Sequence, residues 1–148
     1  MNGWQGMVLG SLVFGVAGCG ASSPQDAKPQ ASQRVTTERV GPKEVDIASF
    51  KRAHEKGAVV VDVRTDAEWA GGHVPGAIHV PLDQLQAEGA AHPLLASIPE
   101  DAPVFFICAS GGRSSRATAM MAAAGRTAIN VAGGTNAWVA SGHPTETP

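Results

Sequence analysis

The sequence predicts an α/β fold in which a mostly parallel sheet of five strands is flanked by helices. Short apolar segments near residues 45, 59, 78, 104 and 128 alternate with helical segments, an order typical of parallel strands joined by helices. Residues 58–63 (AVVVDV) are apolar at nearly every position, as expected of a strand covered on both faces. The chain of 148 residues, 43% hydrophobic and 16% charged, is long enough for one folded domain with extensions.

The first 18 residues are predicted to be a signal peptide. Residues 7–17 are almost wholly apolar, too short to span a membrane as a helix and typical of the hydrophobic part of a signal peptide. The sequence VAGC at 16–19 resembles the lipobox of bacterial lipoproteins, whose Cys becomes the lipidated first residue. No Lys or Arg precedes Lys28, so the positive region of such a signal depends on the terminal amine alone. A buried apolar arm or a transmembrane anchor is the alternative interpretation.

Residues 19–39 are predicted to be a flexible tether, because 21–37 are rich in Ser, Gln and Pro without hydrophobic periodicity. The lipoprotein resemblance implies export and attachment to a lipid membrane through Cys19, with the domain facing the periplasm. Within that family, Gly20 after the Cys favours the outer membrane over the inner one. If Cys19 carries lipid, Cys108 has no disulfide partner in the chain.

The folded domain is predicted to occupy residues 40–148. A short edge strand at 45–47 precedes a helix at 48–56, which Gly57 ends. The apolar segment 58–63 follows as a central strand.

Charged side chains cluster where this central strand ends. Asp62 and Arg64 lie at its carboxyl end, the side on which open α/β sheets bind ligands. Asp66 is expected to cap a short helix that carries Glu68 and Trp69. We expect Arg64 to pair with Glu68 in a structural ion-pair network, and Trp69 to lie in the core.

The segment after this helix connects the first half of the sheet to the second. Residues 71–76 (GGHVPG) form a turn-rich approach to a strand at 78–80, and His73 within them is a candidate general base. Two short helices at 82–87 and 93–98 flank a polar loop. No metal site is predicted, because none of the histidines has the spacing of metal ligands: His54, His73, His79, His92 and His143.

The segment 104–125 carries the strongest chemical signal. It combines an apolar strand at 104–107, then Cys108, a loop of small residues and a helix at 116–124 that Gly125 ends. The residues between the Cys and the helix that we expect to bind substrate are Ala109, Ser110, Gly111, Gly112, Arg113 and Ser114.

This order of elements can surround one sulfur atom with hydrogen-bond donors. Backbone N–H groups of the loop and the helix N-terminus favour negative charge, which lowers the pKa of a thiol and makes the nucleophilic thiolate. Arg113 adds a fixed positive charge. The alternative interpretation is that Cys108 is a small core residue and that the two glycines only form a turn.

The last part of the domain closes the sheet. A strand at 127–131 leads into a tight turn at 133–134 and a helix at 135–140, in which Trp138 is expected to be buried. Residues 144–148 are expected to form a frayed tail. The net charge of −2 offers no basic face for nucleic acid, so that class of partner is not expected.

Four segments in this order resemble the single-domain rhodaneses, which are sulfurtransferases. The sequence CASGGRS at 108–114 resembles their C-x-x-G-x-R-S loop. VDVR at 61–64, followed by Glu68 and Trp69, resembles their D-V-R-x-x-x-E-[YWF] segment. GHVPGA at 72–77 and AGG at 132–134 with Ala-Trp behind it resemble the remaining two motifs. The resemblance covers residues 45–144.

The resemblance implies a three-layer rhodanese-like fold and a reaction through a persulfide on Cys108. A small anionic donor such as thiosulfate gives up its sulfane sulfur, loop N–H groups hold the persulfide, and a thiophilic acceptor removes it. Arg113 is expected to orient or neutralise the donor. No cofactor is required, the acceptor includes protein thiols, and a monomer is expected. Four residues are expected to support the site, with the ring of His73 bonded to backbone: Asp62, Arg64, Glu68 and His73.

Three other functions share parts of this pattern. Related phosphatases use a C-x5-R loop, whereas Cys108 and Arg113 are spaced as C-x4-R, which favours sulfur over phosphate. Rhodanese-like domains also serve as non-catalytic binding modules, but these typically lack the Cys. A membrane-tethered persulfide carrier would share the chemistry and differ only in its acceptor.

Overall fold

The computed structural model describes residues 43–148, and the structural statements below refer to this range. The predicted signal peptide, the predicted tether and Cys19 lie outside the described residues. Within the described range, no helix combines the length and apolar character needed to cross a membrane.

Five strands form one sheet in which every neighbouring pair is parallel. The strands are β1 (Lys43–Val45), β2 (Val59–Asp62), β3 (Ile78–His79), β4 (Val104–Ile107) and β5 (Ala128–Val131). Their order is β1-β5-β4-β2-β3, so β4 is the middle strand and β1 lies at an edge. The predicted α/β class with a five-stranded parallel sheet is confirmed.

Helices connect the strands. They are α1 (Ile47–His54), α2 (Asp66–Ala70), α3 (Leu82–Glu88), α4 (Pro93–Ala96), α5 (Gly112–Ala123) and α6 (Gly134–Ala140). A 3₁₀ turn, Gly89–Ala91, occupies the predicted polar loop between α3 and α4. Helix α5 begins at Gly112 rather than at the predicted residue 116, so Arg113 and Ser114 belong to its first turn.

Two hydrophobic cores lie on opposite faces of the sheet. Successive strand side chains point to opposite faces, and accordingly Phe105 packs with Phe50 and Trp138, while Phe106 packs with Met121 and its neighbours. Helices α1 and α6 therefore cover one face, and α3, α4 and α5 cover the other. The predicted burial of Trp138 is confirmed, since 2% of its surface is exposed.

The middle strand determines where the chemistry lies. All four residues of β4 are buried, and its neighbours in the sheet are β2 and β5. Cys108 follows directly, at the edge of the sheet where the carboxyl ends of the parallel strands meet.

The expectation of a frayed C-terminal tail is wrong. His73 and Glu146 form an isolated antiparallel bridge with two N–H···O=C bonds of 2.9 Å. The indole N–H of Trp138 donates to the carbonyl of Pro144 at 2.7 Å. His73 and Trp138 are both buried, so their polar groups need hydrogen-bond partners. The tail supplies these partners and is therefore held in place.

Two expectations about α2 are also wrong. Thr65, not Asp66, is the N-cap, and it forms a capping box with Glu68. Trp69 is only partly buried and belongs to neither core cluster. Its ring instead stacks against His73 and His79, with centroid distances of 3.4 and 4.6 Å, because α2 lies outside the helices that cover the two cores.

Candidate active site

The loop between β4 and α5 folds around the sulfur of Cys108, which is 1% exposed. The backbone N–H of Gly111 donates to Sγ at 3.1 Å, and the hydroxyl of Ser114 lies 3.4 Å from it. Both donors come from the loop end and the first turn of α5. The sulfur therefore lies at the positive end of that helix, with donors aimed at it.

The pKa of the Cys108 thiol results from two opposing effects. Burial by itself raises the pKa. Hydrogen bonds from the Ser114 hydroxyl and from the backbone N–H groups of Ser114, Ser110 and Gly111 outweigh burial, so the pKa lies below that of an ordinary thiol. The site thus favours the thiolate, which is the nucleophilic form of cysteine.

The Ser114 hydroxyl has one proton and two acceptors within reach. Its Oγ lies 3.1 Å from the carbonyl oxygen of Gly111 and 3.4 Å from the Cys108 sulfur. A hydroxyl can donate only one strong bond, and bonds to charged acceptors are the stronger ones. Ionisation of the sulfur therefore turns this buried hydroxyl toward Sγ.

Gly111 is required by the shape of the loop. Its φ of +101° is a conformation that L side chains rarely adopt. A Cβ atom there would lie 3.3 Å from the backbone nitrogen of Gly133, so the loop packs directly on backbone. This close packing brings the Gly111 N–H within reach of the sulfur.

Arg113 is neutralised by a carboxylate. Its guanidinium binds Glu68 through two bonds of 2.6 and 2.7 Å, and both side chains are about one-third exposed. The bond from Arg113 is the main cause that lowers the pKa of Glu68 to about 2, against the opposing effect of burial and with help from Thr65. The same bond raises the pKa of Arg113. Arg113 therefore presents less net charge to a donor than the sequence indicates.

The expected Arg64–Glu68 pair is wrong. Arg64 instead binds the fully buried carboxylate of Asp62, with Nε 3.0 and 2.9 Å from the two oxygens, and donates from Nη2 to the carbonyl of Gly72 at 2.8 Å. Arg64 binds Asp62 because the two residues are neighbours at the end of β2. The carboxylate of Glu68 instead points toward Arg113 in the loop after β4. The Asp62–Arg64 pair ties that strand end to the segment before β3.

His73 takes no part in the bonding around the sulfur. Its Nδ1 lies 3.3 Å from the carbonyl of Trp69, and its Nε2 lies 3.5 Å from Glu146. Among the described residues, no hydrogen bond joins His73 to Cys108 or to the loop. The ring is thus placed for a structural contact with backbone rather than for proton transfer at the thiol.

A cleft of about 410 Å³ borders Arg113 on the side of β2 and α3. Val63, Pro81 and Leu82 form its apolar part, and the carboxylates of Asp66 and Asp83 lie on its wall. The volume suits a small molecule. Because Arg113 is already paired, the charge around this cleft is net negative.

No described group of three or more His, Cys, Asp and Glu side chains could hold a metal ion. Within residues 43–148, Cys108 is a free thiol.

The family follows from comparison with known proteins. The model of the rhodanese-like domain matches residues 46–141. This chain belongs to the rhodanese family. A sulfurtransferase of Allochromatium vinosum is 34% identical over 109 residues, which cover 71% of this chain and 95% of that protein.

Solved structures resemble this rhodanese in fold along most of the described range. The human single-domain sulfurtransferase has 28% identity and a TM-score of 0.58, covering 67% of this chain and 96% of that one. A protein of unknown function from Rhodopseudomonas palustris, described as a possible tyrosine phosphatase, has 27% identity and a TM-score of 0.62. The match covers 70% of this chain and 84% of that one.

Besides the Arg113–Glu68 pair, the sequence does not predict the contact between the rhodanese loop and the start of α6. The glycine pair 133–134 predicts only a tight turn, but the start of α6 that follows it contacts the loop backbone. The N–H of Thr135 donates to the carbonyl of Cys108 at 2.7 Å. The motif indicates a turn and a helix, and it carries no signal about which loop that turn touches.

Proposed function

We propose that this rhodanese is a sulfurtransferase that moves a sulfane sulfur from a donor such as thiosulfate to a thiophilic acceptor through Cys108. The observation that carries the proposal is the sulfur of Cys108 within 3.1 Å of the Gly111 N–H, in surroundings that lower its pKa. Membership of the family and the named sulfurtransferases among its relatives support sulfur transfer in general.

In the first step the Cys108 thiolate attacks the outer sulfur of thiosulfate. An S–S bond forms to the cysteine, the bond between the two sulfurs of thiosulfate breaks, and sulfite leaves with that electron pair. One thiolate and one dianion become one anionic persulfide and one sulfite dianion, so charge balances without a proton. No general base is needed, which agrees with the position of His73 away from the sulfur.

In the second step an acceptor removes the outer sulfur. With cyanide, carbon bonds to that sulfur, the S–S bond breaks, and thiocyanate leaves while the thiolate is restored. Between the steps the persulfide is anionic, and the N–H groups of Ser110 and Gly111 with the Ser114 hydroxyl are the donors available to stabilise it.

The test is an intact-mass measurement on the full chain carrying Cys19→Ser, in which Cys108 is the only cysteine. Thiosulfate should add one sulfur atom, and cyanide should remove it and yield thiocyanate. The same chain with Cys108→Ser should gain nothing. A folded, reduced protein that gains no sulfur would contradict thiosulfate as the donor.

Two outcomes separate the related functions. A persulfide that forms but transfers to cyanide only slowly, while passing to a protein thiol, would support a carrier instead of a turnover enzyme. Hydrolysis of an aryl phosphate that depends on Cys108 would support the phosphatase alternative, which the C-x4-R spacing of Cys108 and Arg113 disfavours.

We further propose that the protein is exported and attached to the outer membrane through lipid on Cys19, on the basis of the VAGC sequence at 16–19. Growth with an alkyne-labelled fatty acid should label the wild-type chain in the membrane fraction. The Cys19→Ser chain should remain unlabelled. Equal labelling of the two chains would contradict the proposal.

A further inference from the structure

The geometry points to the first turn of α6 as the element that positions the sulfur-binding loop, and to Gly134 as its positioning residue. The inference builds on the proposed role of Cys108 as the nucleophile. It concerns how the donors around the sulfur are held in place by a segment that does not touch the sulfur.

The start of α6 binds the outward-facing carbonyls of the loop. The backbone N–H of Thr135 donates to the carbonyl of Cys108 at 2.7 Å, and the N–H of Asn136 donates to the carbonyl of Ala109 at 3.0 Å. The hydroxyl of Thr135 lies 3.4 Å from the same Cys108 oxygen. The first N–H groups of a helix have no partner within the helix, so these two are free to bind the loop.

Peptide geometry transmits this contact to the other side of the loop. A peptide group is planar and trans, so its C=O and the N–H of the next residue point in opposite directions. Holding the carbonyls of Cys108 and Ala109 against α6 therefore turns the N–H groups of Ala109 and Ser110 away from α6. The Ser110 N–H is one of the donors that lower the pKa of the Cys108 thiol, which agrees with this orientation.

Only glycine fits at the point of contact. Gly134 has a φ of +58°, and a Cβ atom there would lie 2.0 Å from the Cys108 carbonyl oxygen and 2.7 Å from the Ala109 carbonyl. Any side chain would push the loop backbone away. Gly133 differs, because a Cβ atom there would meet only the side chain of Ala137 in its own helix.

Loss of this contact should act on charge at the sulfur. If the loop carbonyls leave α6, the peptide groups are free to rotate, and carbonyl oxygens then replace N–H groups as neighbours of the thiolate. An anion surrounded by fewer donors is less stable, so the thiol pKa rises. A segment that served only to pack the fold would lower stability and leave the thiol pKa unchanged.

The experiment uses the full chain with Cys19→Ser and measures the pH dependence of alkylation of Cys108 by iodoacetamide. Gly134→Ala should raise the thiol pKa by about one unit, so the alkylation profile moves about one unit to higher pH, and at any pH well below the wild-type pKa the thiolate fraction falls about tenfold. The reaction with thiosulfate should slow by the same factor in that pH range. An unchanged thiol pKa in a folded Gly134→Ala chain would overturn the inference.

Gly142→Ala is the matched control. Gly142 follows the other end of α6, has a φ of +75°, and a Cβ atom there meets nothing within 4 Å. It therefore introduces similar backbone strain without contact with the loop, and the thiol pKa should stay at the wild-type value. An equal rise of the pKa in both variants would also overturn the inference.

A measurement without the variant covers the case in which Gly134→Ala does not fold. The amide resonances of Thr135 and Asn136 in the Cys19→Ser chain should shift with pH at the midpoint of Cys108 ionisation, because their acceptors are the carbonyls of the loop. Absence of such a shift would overturn the inference. Neither the alkylation profile nor the amide shift needs a sulfur donor, so failure of thiosulfate to react would count against the proposed function alone.

Discussion

Arg113 and Glu68 are 45 residues apart in the chain and form a two-bond ion pair at 2.6 and 2.7 Å beside the sulfur-binding loop. Arg113 belongs to the first turn of α5, and Glu68 belongs to α2. The pair joins the loop after β4 to the segment after β2. It also removes most of the positive charge that a small anionic donor would meet.

The first prediction concerns donor affinity. Glu68→Gln removes the negative charge beside Arg113, so the KM for thiosulfate should fall at low salt. The expected factor is about two to five, which corresponds to the energies of exposed ion pairs. Steady-state kinetics check this. Arg113→Gln is the matched control: it leaves the Glu68 carboxylate unpaired and should raise the KM. A KM that stays constant or rises in Glu68→Gln would contradict the assignment.

The second prediction concerns stability against acid. The folded-state pKa of Glu68 is about 2, below that of an unfolded Glu, so its contribution is present at neutral pH and is lost as the pH falls from about 4.5 toward 2. Because the side chain is 35% exposed, the contribution should be below about 1 kcal/mol. In denaturant unfolding, Glu68→Gln should have a lower free energy of unfolding than the wild-type chain at pH 7, and this difference should shrink below about pH 4.5. A deficit independent of pH would contradict this account.

The third prediction concerns the thiol. Ser114→Ala removes the hydroxyl bond to the Cys108 sulfur, so the thiol pKa should rise and the rising limb of the rate against pH should move to higher pH. At a pH well below the wild-type pKa the rate should fall about three- to tenfold, which corresponds to a rise of the thiol pKa by about half to one unit, and it should recover above the new pKa. Alkylation profiles check this. Ser115→Ala, one residue further along α5, should leave the profile in place.

The fourth prediction concerns the cleft beside Arg113. Asp66 and Asp83 place two carboxylates on its wall. The double variant Asp66→Asn/Asp83→Asn should therefore lower the KM for thiosulfate about two- to fivefold, and high salt should abolish this decrease in KM. Asp101→Asn is the control, because Asp101 precedes β4 at the opposite end of the strand from Cys108. A decrease in KM that persists at high salt would argue against an electrostatic cause.

The fifth prediction concerns the C-terminal tail. Removal of residues 145–148 deletes both backbone bonds to His73 and the bond of 2.7 Å from the Gly76 N–H to the Glu146 carboxylate. The free energy of unfolding should fall by about 1–3 kcal/mol, from three lost hydrogen bonds of modest net value each. Denaturant unfolding checks this. Removal of residues 147–148 alone should lower the free energy of unfolding much less than removal of residues 145–148.

The sequence by itself determined the elements of this protein and their order. Apolar runs such as 104–107 predict strands, and the small residues after Cys108 predict a tight loop leading into a helix, because strand and helix preferences depend on neighbours a few residues apart. The burial of Trp138 was predictable for the same reason. These signals also placed Cys108 at the carboxyl end of a buried strand.

Only the tertiary structure decided which distant groups meet. It paired Glu68 with Arg113 instead of Arg64, placed the start of α6 on the carbonyl of Cys108, and bound Glu146 to His73. Each of these contacts joins segments that the sheet order brings together, and residue types alone do not specify that order. The physical reason is that such pairs depend on packing across the sheet, whereas a sequence pattern reports only the periodicity and capping of each element.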